Sequence, residues 1–245
     1  MNLEEIRFKL RSYEKEISFI DETHEYHIGK EQYISVSTLI KKYSPVFNAE
    51  GAAWGTAKKL GITQKEVLAM WERNKELSCI KGTNIHLYAE LFTEGVRPYT
   101  DKKDEYFYYK KTVENMVGTL FTGELIINEA MLYSKKYKVA GQTDFLLYDD
   151  EKESIIVGDY KTNANIRKKE KYNKNMLGIL RHLKDTDIVH YEIQTSMYRY
   201  FLELWGLKCK SQKLVWLNEG VWEIIPCRYL KDEVIAMLEA NKKGE

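Results

Sequence analysis

The sequence predicts an α/β fold in which helices flank a mixed central β-sheet, with a mostly helical N-terminal part. Two patterns lead to this prediction. Apolar residues recur at helical spacing through most of residues 1–120, whereas residues 124–162 show the apolar runs of neighbouring strands, separated by turn-prone residues. Composition agrees, because 44% of the 245 residues are hydrophobic and only 3 are proline, which favours a chain with a substantial core.

Helical patterns dominate the first half of the chain. Leu3, Ile6 and Leu10 have the spacing of one helix face, and Thr63 with Glu66 makes a capping box. We predict, in order, a helix Leu3–Glu16, hairpin strands Ile17–Ile20 and Tyr26–Ile28, a helix capped by Ser35 or Ser37 and ending at Lys42, and helices Thr63–Lys75, Lys81–Thr93 and Lys102–Leu120.

From Glu124 onwards strands replace helices. The predicted strands Leu125–Leu132, Val139–Tyr148 and Ser154–Thr162 form a three-strand meander, because the turn-prone residues 149–153 join the last two. After a basic segment we predict a helix Tyr191–Trp205, strands Lys213–Asn218 and Val221–Pro226, and a helix Lys231–Asn241.

The domain organisation is predicted from what the chain lacks. No internal repeat and no linker rich in Pro, Gly or Ser divides it, so we expect one compact domain in which residues 1–80 form an extension packed on a core of residues 81–245. No stretch approaches the roughly 18 apolar residues of a membrane span, and the N-terminus lacks a signal-peptide pattern. We therefore expect a cytoplasmic protein without a membrane partner.

A basic segment interrupts a chain whose formal net charge is only +1. Between Asn163 and Lys184 a single acid, Glu170, stands against seven basic residues: Arg167, Lys168, Lys169, Lys171, Lys174, Arg181 and Lys184. Such a patch on a near-neutral protein is typical of a contact with a polyanion, and equally of a solvated basic loop.

Two acids and a lysine on adjacent predicted strands give the strongest functional signal. If Asp149 pairs with Ser154 across the hairpin, Asp144 falls opposite Asp159, with Cβ atoms about 5 Å apart on one face. Lys161 shares that face by the period of two. Two carboxylates so close to an apolar strand need a cation, because an unpaired buried charge is costly. Asp–Lys pairs on strands are also common as surface ion pairs, so the pair alone is a weak signal.

The order of these residues resembles the PD-(D/E)XK nuclease superfamily. Gly141 to Asp144, followed after a hairpin by an apolar strand ending in Asp-Tyr-Lys-Thr, resembles its RecB-like branch, which includes phage-type exonucleases and the mitochondrial genome maintenance exonuclease. Gly82 to His86 resembles the helical G-x-x-x-H motif of that branch, and Gln194 to Tyr198 resembles its Q-x-x-x-Y motif. The sequence departs from the superfamily pattern in one respect, since no proline precedes Asp144.

The resemblance implies a restriction-endonuclease-like core with a metal site. In that site Asp144 and Asp159 would bind Mg²⁺ or Mn²⁺, with His86 and the backbone carbonyl of Tyr160 as further ligands. Lys161 would orient or deprotonate the attacking water. No iron–sulfur cluster is expected, because three scattered cysteines do not supply the four ligands that some relatives use.

Further roles follow from the same resemblance. Glu129, on the preceding strand, would hold a second cation or help to position water. Gln194 and Tyr198 are expected to contact substrate, and the contacts to the DNA backbone beside the site would come from Lys168, Lys169 and Lys171.

Three of these assignments have structural alternatives. His86 would instead be a core histidine bonded to Glu90 one helical turn later. Tyr198 would instead belong to a stripe that packs the helix on the core and consists of Tyr191, Gln194, Tyr198, Phe201 and Trp205. Glu129 is balanced between a role in the site and none.

The expected function is therefore that of a divalent-metal-dependent DNA exonuclease, which hydrolyses phosphodiester bonds at duplex ends or in single strands. Phage or bacterial DNA recombination, repair or processing would be its setting, with a phage recombination or replication protein as a compatible partner. A structure- or sequence-selective endonuclease and an inactive nucleic-acid-binding module remain alternatives. Digestion polarity, activity on RNA and oligomeric state do not follow from the sequence.

Overall fold

Helices cover both faces of a central mixed β-sheet, which confirms the predicted fold class. The computed structural model describes residues 1–120 and 124–244, and of residues 118, 120 and 171 it describes the backbone alone. Within these residues the sheet has eight strands. No helix among them is both long enough and apolar enough to cross a membrane.

The elements follow one another in the order that the sequence predicts, with additions near the N-terminus. The helices are α1 Leu3–Glu14, α2 Val36–Lys41, α3 Ala49–Leu60, α4 Gln64–Thr93, α5 Phe107–Leu120, α6 Asp187–Leu204 and α7 Lys231–Lys243. The strands are β1 Ile17–Ile20, β2 Glu25–Ile28, β3 Glu31–Ser35, β4 Glu124–Ser134, β5 Val139–Asp149, β6 Ser154–Lys161, β7 Cys209–Asn218 and β8 Val221–Pro226.

The sheet combines the predicted meander with two parallel junctions. Its order is β1-β2-β3-β5-β6-β7-β8, and β4 pairs with β5 outside this path. The pairs β3·β5 and β6·β7 are parallel and the others are antiparallel. The meander β4-β5-β6 predicted from the sequence is therefore confirmed.

The N-terminal half differs from the prediction in three elements. Strand β3 and helix α3 were not predicted. Strand β3 continues the hairpin by pairing with β2 and joins the main sheet through Ile34 and Ser35, which pair with β5. Helix α3 buries only small residues, Ala53 and Ala57, against α4. The two helices predicted over residues 63–93 are one helix, α4, because no proline interrupts the stretch between them. The expected boundary between residues 80 and 81 falls inside this helix.

Alternate residues of β5 and β6 enter two separate hydrophobic clusters. Leu146 and Val157 belong to the larger cluster with α1, α2, α6 and α7, whereas Phe145 and Tyr160 belong to a second cluster with α4 and α5. This alternation is the period of two expected for strands that are buried on both faces. Helices α4 and α6 therefore lie on opposite faces of the same two strands.

The β5–β6 hairpin opens into a fork. Its pairs run from Asp149↔Ser154 to Phe145↔Gly158, which confirms the register predicted from the sequence. Beyond Phe145, β5 continues to pair with β4 as far as Val139, while β6 continues with β7 as far as Lys161. The sheet thus divides into two arms at the level of residues 144 and 159.

Candidate metal centre

Asp144 and Asp159 lie at the point where the two strands part. The backbone N–H of Tyr160 donates to Asp144 Oδ2, and Thr143 Oγ1 donates to the carbonyl of Gly158 over 2.9 Å. These side-chain contacts replace the backbone pairs that the fork lacks. Asp144 is consequently held in one orientation by the neighbouring strand.

Helix α4 brings His86 onto this carboxylate. His86 Nδ1 lies 3.2 Å from Asp144 Oδ1, and the edge of its ring packs on Tyr160, with centroids 5.9 Å apart. The sequence alternative, a bond from the His86 ring to Glu90, is not the arrangement that the structure shows. The G-x-x-x-H motif therefore places its histidine beside the acid of the strand motif, 58 residues away in sequence.

Glu129 joins the group from strand β4. The pairs Asn128↔Phe145 and Ala130↔Thr143 place it opposite Asp144. Its backbone is left-handed, with φ of 50°, and Gln142 Nε2 donates to its carbonyl over 3.0 Å. Such a conformation costs about 1 kcal/mol or more for a residue with a Cβ, and strain of this kind is characteristic of active sites and ligand sites.

Three ligand atoms converge at the fork. One nitrogen of His86 and one carboxylate oxygen each of Glu129 and Asp144 lie within 4.8 Å of one another. Asp159 lies beside this group and forms an ion pair with Lys161. Both members of the pair are largely buried, with side chains 3% and 15% exposed.

The charges of the site are strongly perturbed by burial. Burial and the charge of Asp144 raise the pKa of Glu129 to about 8, and burial raises the pKa of Asp159 to about 6 although Lys161 opposes this shift. Burial also acts to raise the pKa of Asp144, but His86 and Lys161 outweigh it and the net shift is downward. Glu129 therefore keeps its proton at neutral pH in the metal-free site, and a cation bound there would displace that proton.

This donor set suits a hard divalent cation. Carboxylate oxygens are the ligands that Mg²⁺ and Mn²⁺ prefer, and an imidazole nitrogen is tolerated better by Mn²⁺ than by Mg²⁺. A cation held by His86, Glu129 and Asp144 would favour the ionised form of Glu129, against the burial and the charge of Asp144 that raise its pKa. Asp159 was predicted as a ligand but is not one of the three converging residues, so its ligand role and that of the Tyr160 carbonyl remain predictions.

The two residues of the Q-x-x-x-Y motif bind each other. Gln194 Nε2 donates to the hydroxyl of Tyr198 over 3.0 Å, as the spacing of four on a helix allows. Tyr198 is only 3% exposed, and a Cβ added to Gly141 would come within 2.7 Å of its ring. Tyr198 thus packs on the strand motif, and a contact of either side chain with substrate stays a prediction.

The basic segment follows the site in sequence, and some of its basic side chains form ion pairs within the protein. Its residues Lys168–Tyr172 form a 3₁₀ turn. Arg167 and Lys169 form ion pairs with acids of β8 and α6 at 2.6 and 2.8 Å, whereas Lys168 is exposed. The side chain of Lys171 lies outside the described part of the chain, so the predicted DNA contact of this segment is untested.

Sequence reasoning missed two residues of the site. Burial and the charges of Glu94 and Asp144 raise the pKa of Glu90, which places its carboxylate within the field of the site. The sequence feature that could have indicated Glu90 is its position four residues after His86, on the same face of α4. Tyr191 is the second: the Lys161 ammonium lies 4.4 Å from the centroid of its ring, and no sequence pattern indicates that contact.

Comparison with known proteins adds little to this geometry. No family model matches the sequence, and no curated protein matches it. Among solved structures the chain is similar to the crystal structure of SSO0001, with a TM-score of 0.41 and 15% sequence identity over 100% of this chain and 87% of that chain. Similarity at that level supports no functional inference.

Proposed function

We propose that this protein is a divalent-metal-dependent nuclease with a restriction-endonuclease-like core, and that it acts on DNA as an exonuclease. The observation that carries the proposal is the convergence of His86, Glu129 and Asp144 within 4.8 Å, beside the buried pair of Asp159 and Lys161. A cluster of this kind brings together the ligands and the cationic donor that metal-assisted phosphodiester hydrolysis requires.

The chain's own residues have separate tasks in this reaction. His86, Glu129 and Asp144 would hold the cation, with Asp159 at its edge. The bound cation would polarise a phosphoryl oxygen and lower the pKa of a water molecule. Lys161, with three N–H donors, would orient the attacking water or a phosphate oxygen. The Tyr160 N–H holds Asp144 in place before substrate arrives.

DNA is the proposed substrate for two reasons. The motifs at His86, Asp144, Asp159 with Lys161, and Gln194 resemble in order and type those of the RecB-like branch, whose members include DNA exonucleases. The basic segment that follows β6 supplies an exposed lysine, Lys168, next to the site in sequence. Contacts of lysine with phosphates would make binding salt-sensitive and independent of base sequence.

Cleavage of three DNA forms tests the proposal. Linear duplex, single-stranded and covalently closed circular DNA are incubated with Mg²⁺ or Mn²⁺ and wild type, Asp159→Ala or Lys161→Ala. We expect wild type to degrade linear forms only and both variants to lose at least about a hundredfold in rate, since each removes a charged group from the transition state. An exposed ion pair on the same hairpin, Asp149 with Lys152, provides matched controls, Asp149→Ala and Lys152→Ala.

Each other outcome identifies a different function. Cutting of the closed circle would indicate an endonuclease. Cleavage of RNA alone would change the substrate class. If folded protein with Mn²⁺ binds DNA but cleaves neither DNA nor RNA, the nuclease proposal is wrong and a binding module takes its place.

A further inference from the structure

The Lys161 side chain has to be aimed, because it is a flexible four-carbon chain that carries a point charge. One contact of its ammonium is the ion pair with Asp159. A second is the face of Tyr191 on α6, whose ring centroid lies 4.4 Å from Nζ. The Lys161 ammonium is thus held between the carboxylate of Asp159 on its own strand, β6, and the ring of Tyr191 on helix α6.

The ring of Tyr191 is itself fixed to the strand that bears Lys161. Its hydroxyl donates to Asn163 Oδ1 over 3.1 Å, and the carbonyl of Asn163 accepts a hydrogen bond of 2.7 Å from Trp216 Nε1. Trp216 is the β7 partner of Lys161 in the parallel register. The ring, the lysine and its strand neighbours therefore share one rigid frame.

Tyr191 differs from the other aromatic residues of the packing stripe predicted on its helix. Tyr198, Phe201 and Trp205 are buried in the main hydrophobic cluster, as the predicted packing stripe requires. Tyr191 packs instead at the edge of a small cluster under β7 and turns its face to a charge. Packing alone would not need that orientation, whereas a cation over an aromatic face is attracted by it when largely desolvated.

We propose that Tyr191 is a positioning residue for Lys161: its ring face confines the ammonium to the reacting side of the site. This inference rests on the proposed nuclease function. The ring would act in the transition state through Lys161 and would not contribute to DNA affinity. Turnover should therefore depend on Tyr191, and KM should not.

Two substitutions separate the ring from the hydroxyl, and a third is a matched control. Tyr191→Leu removes the ring, and Tyr191→Phe keeps the ring but loses the bond to Asn163. Tyr229 has the same features away from the site, with the Arg199 guanidinium 3.9 Å from its ring centroid and its hydroxyl bonded to an acid over 2.7 Å. Tyr229→Leu therefore measures the effect of losing a comparable contact on stability alone.

Kinetics on linear DNA with Mn²⁺ give the first readout. We expect Tyr191→Leu to lower kcat about tenfold with KM unchanged, and Tyr191→Phe to restore kcat to within about twofold of wild type. Tyr229→Leu should keep the wild-type kcat. A Tyr191→Leu enzyme with wild-type kcat, or with a change in KM alone, would overturn the inference while leaving the nuclease proposal intact.

NMR of the metal-free protein gives a second readout that does not need activity. The ε-protons of Lys161 should be shifted upfield by the Tyr191 ring, and this shift should vanish in Tyr191→Leu but persist in Tyr191→Phe. An unshifted Lys161 in wild type would overturn the proposed contact directly. A wild-type protein that shows the shift but cleaves no nucleic acid would instead overturn the proposed function, and with it the positioning role.

Discussion

The two halves of the β5–β6 hairpin have opposite characters. In the paired half, from Asp149↔Ser154 to Phe145↔Gly158, backbone groups bind each other and most side chains are buried and apolar. In the forked half, side chains of Thr143 and Asp144 bind the backbone of β6, and the strand positions carry charge. A site thus arises where backbone pairing stops, because the strands there have room for polar groups between them.

This contrast separates stability from chemistry within a single pair of strands. The paired half presents alternate residues to two hydrophobic clusters, so changes there should affect the free energy of unfolding. The forked half keeps carboxylates in a buried setting at an energetic cost. Changes there should affect metal binding and turnover more than folding.

The largest effect is expected from Gly158→Ala in the paired half. An added Cβ would overlap the ring of Phe145 directly across the strands, so the core has to shift and the free energy of unfolding should fall by about 3 kcal/mol. Urea denaturation with metal absent measures this change. The cleavage rate of the protein that remains folded should stay close to wild type.

The double variant Gly158→Ala with Phe145→Leu sharpens that prediction. If overlap with the ring is the cause, the smaller side chain should recover much of the loss, and the two changes should couple in a double-mutant cycle. If the two losses in unfolding free energy simply add, overlap with the Phe145 ring is not the reason that Gly158→Ala destabilises the fold.

A somewhat smaller effect is expected from metal binding at the forked half. Mn²⁺ at about 100 times its dissociation constant should stabilise the fold by about 2.7 kcal/mol, since the site exists only in the folded chain. Asp144→Asn should abolish this stabilisation while the amide oxygen still accepts from the Tyr160 N–H. Thermal unfolding with and without Mn²⁺ measures both.

Asp149→Asn, in the paired half of the same strand, is the control for the loss of one carboxylate. It should retain the full response to Mn²⁺. Equal stabilisation of Asp144→Asn and wild type would place the cation elsewhere and remove the main support for the proposed function.

The parts of the molecule that depend on local pattern could be predicted from the sequence. Alternating apolar residues and a short turn specify the hairpin and its register, and that register places Asp144 and Asp159 just beyond its last pair, Phe145↔Gly158. A helix with a capping box at Thr63 was predictable for the same reason. These features depend on neighbours that lie close in sequence.

The remaining parts depend on contacts between distant segments. Strand β3 pairs with its neighbour β2, but it joins the main sheet only through the distant strand β5, and α3 has too small an apolar face to be recognised. The left-handed backbone of Glu129 is stabilised by Gln142 across the sheet, and Tyr191 reaches Lys161 from the opposite helix. The spacing of residues within one helix or strand does not indicate contacts of this kind.

The smallest effect is expected outside the fork, in the basic segment. Replacing Lys168, Lys169 and Lys171 together with alanine should weaken DNA binding roughly tenfold and lower the salt slope by about 1 to 2, at about 0.9 per lost phosphate contact. Three full contacts are not expected, because Lys169 already forms an ion pair with Asp187. Binding measured across a range of salt concentrations, with Ca²⁺ in place of Mn²⁺, gives both quantities.

The control for this variant removes the same number of lysines elsewhere. Lys135, Lys136 and Lys138 lie at the β4–β5 turn and form ion pairs with Glu16, Glu239 and Glu31. Their replacement with alanine changes net charge equally, so it should leave the salt slope nearly unchanged if DNA contacts the basic segment itself. An equal loss of DNA affinity in both variants would mean that the net charge of the protein, and not the basic segment, attracts DNA. The residues at the fork would then be the ones that position the DNA.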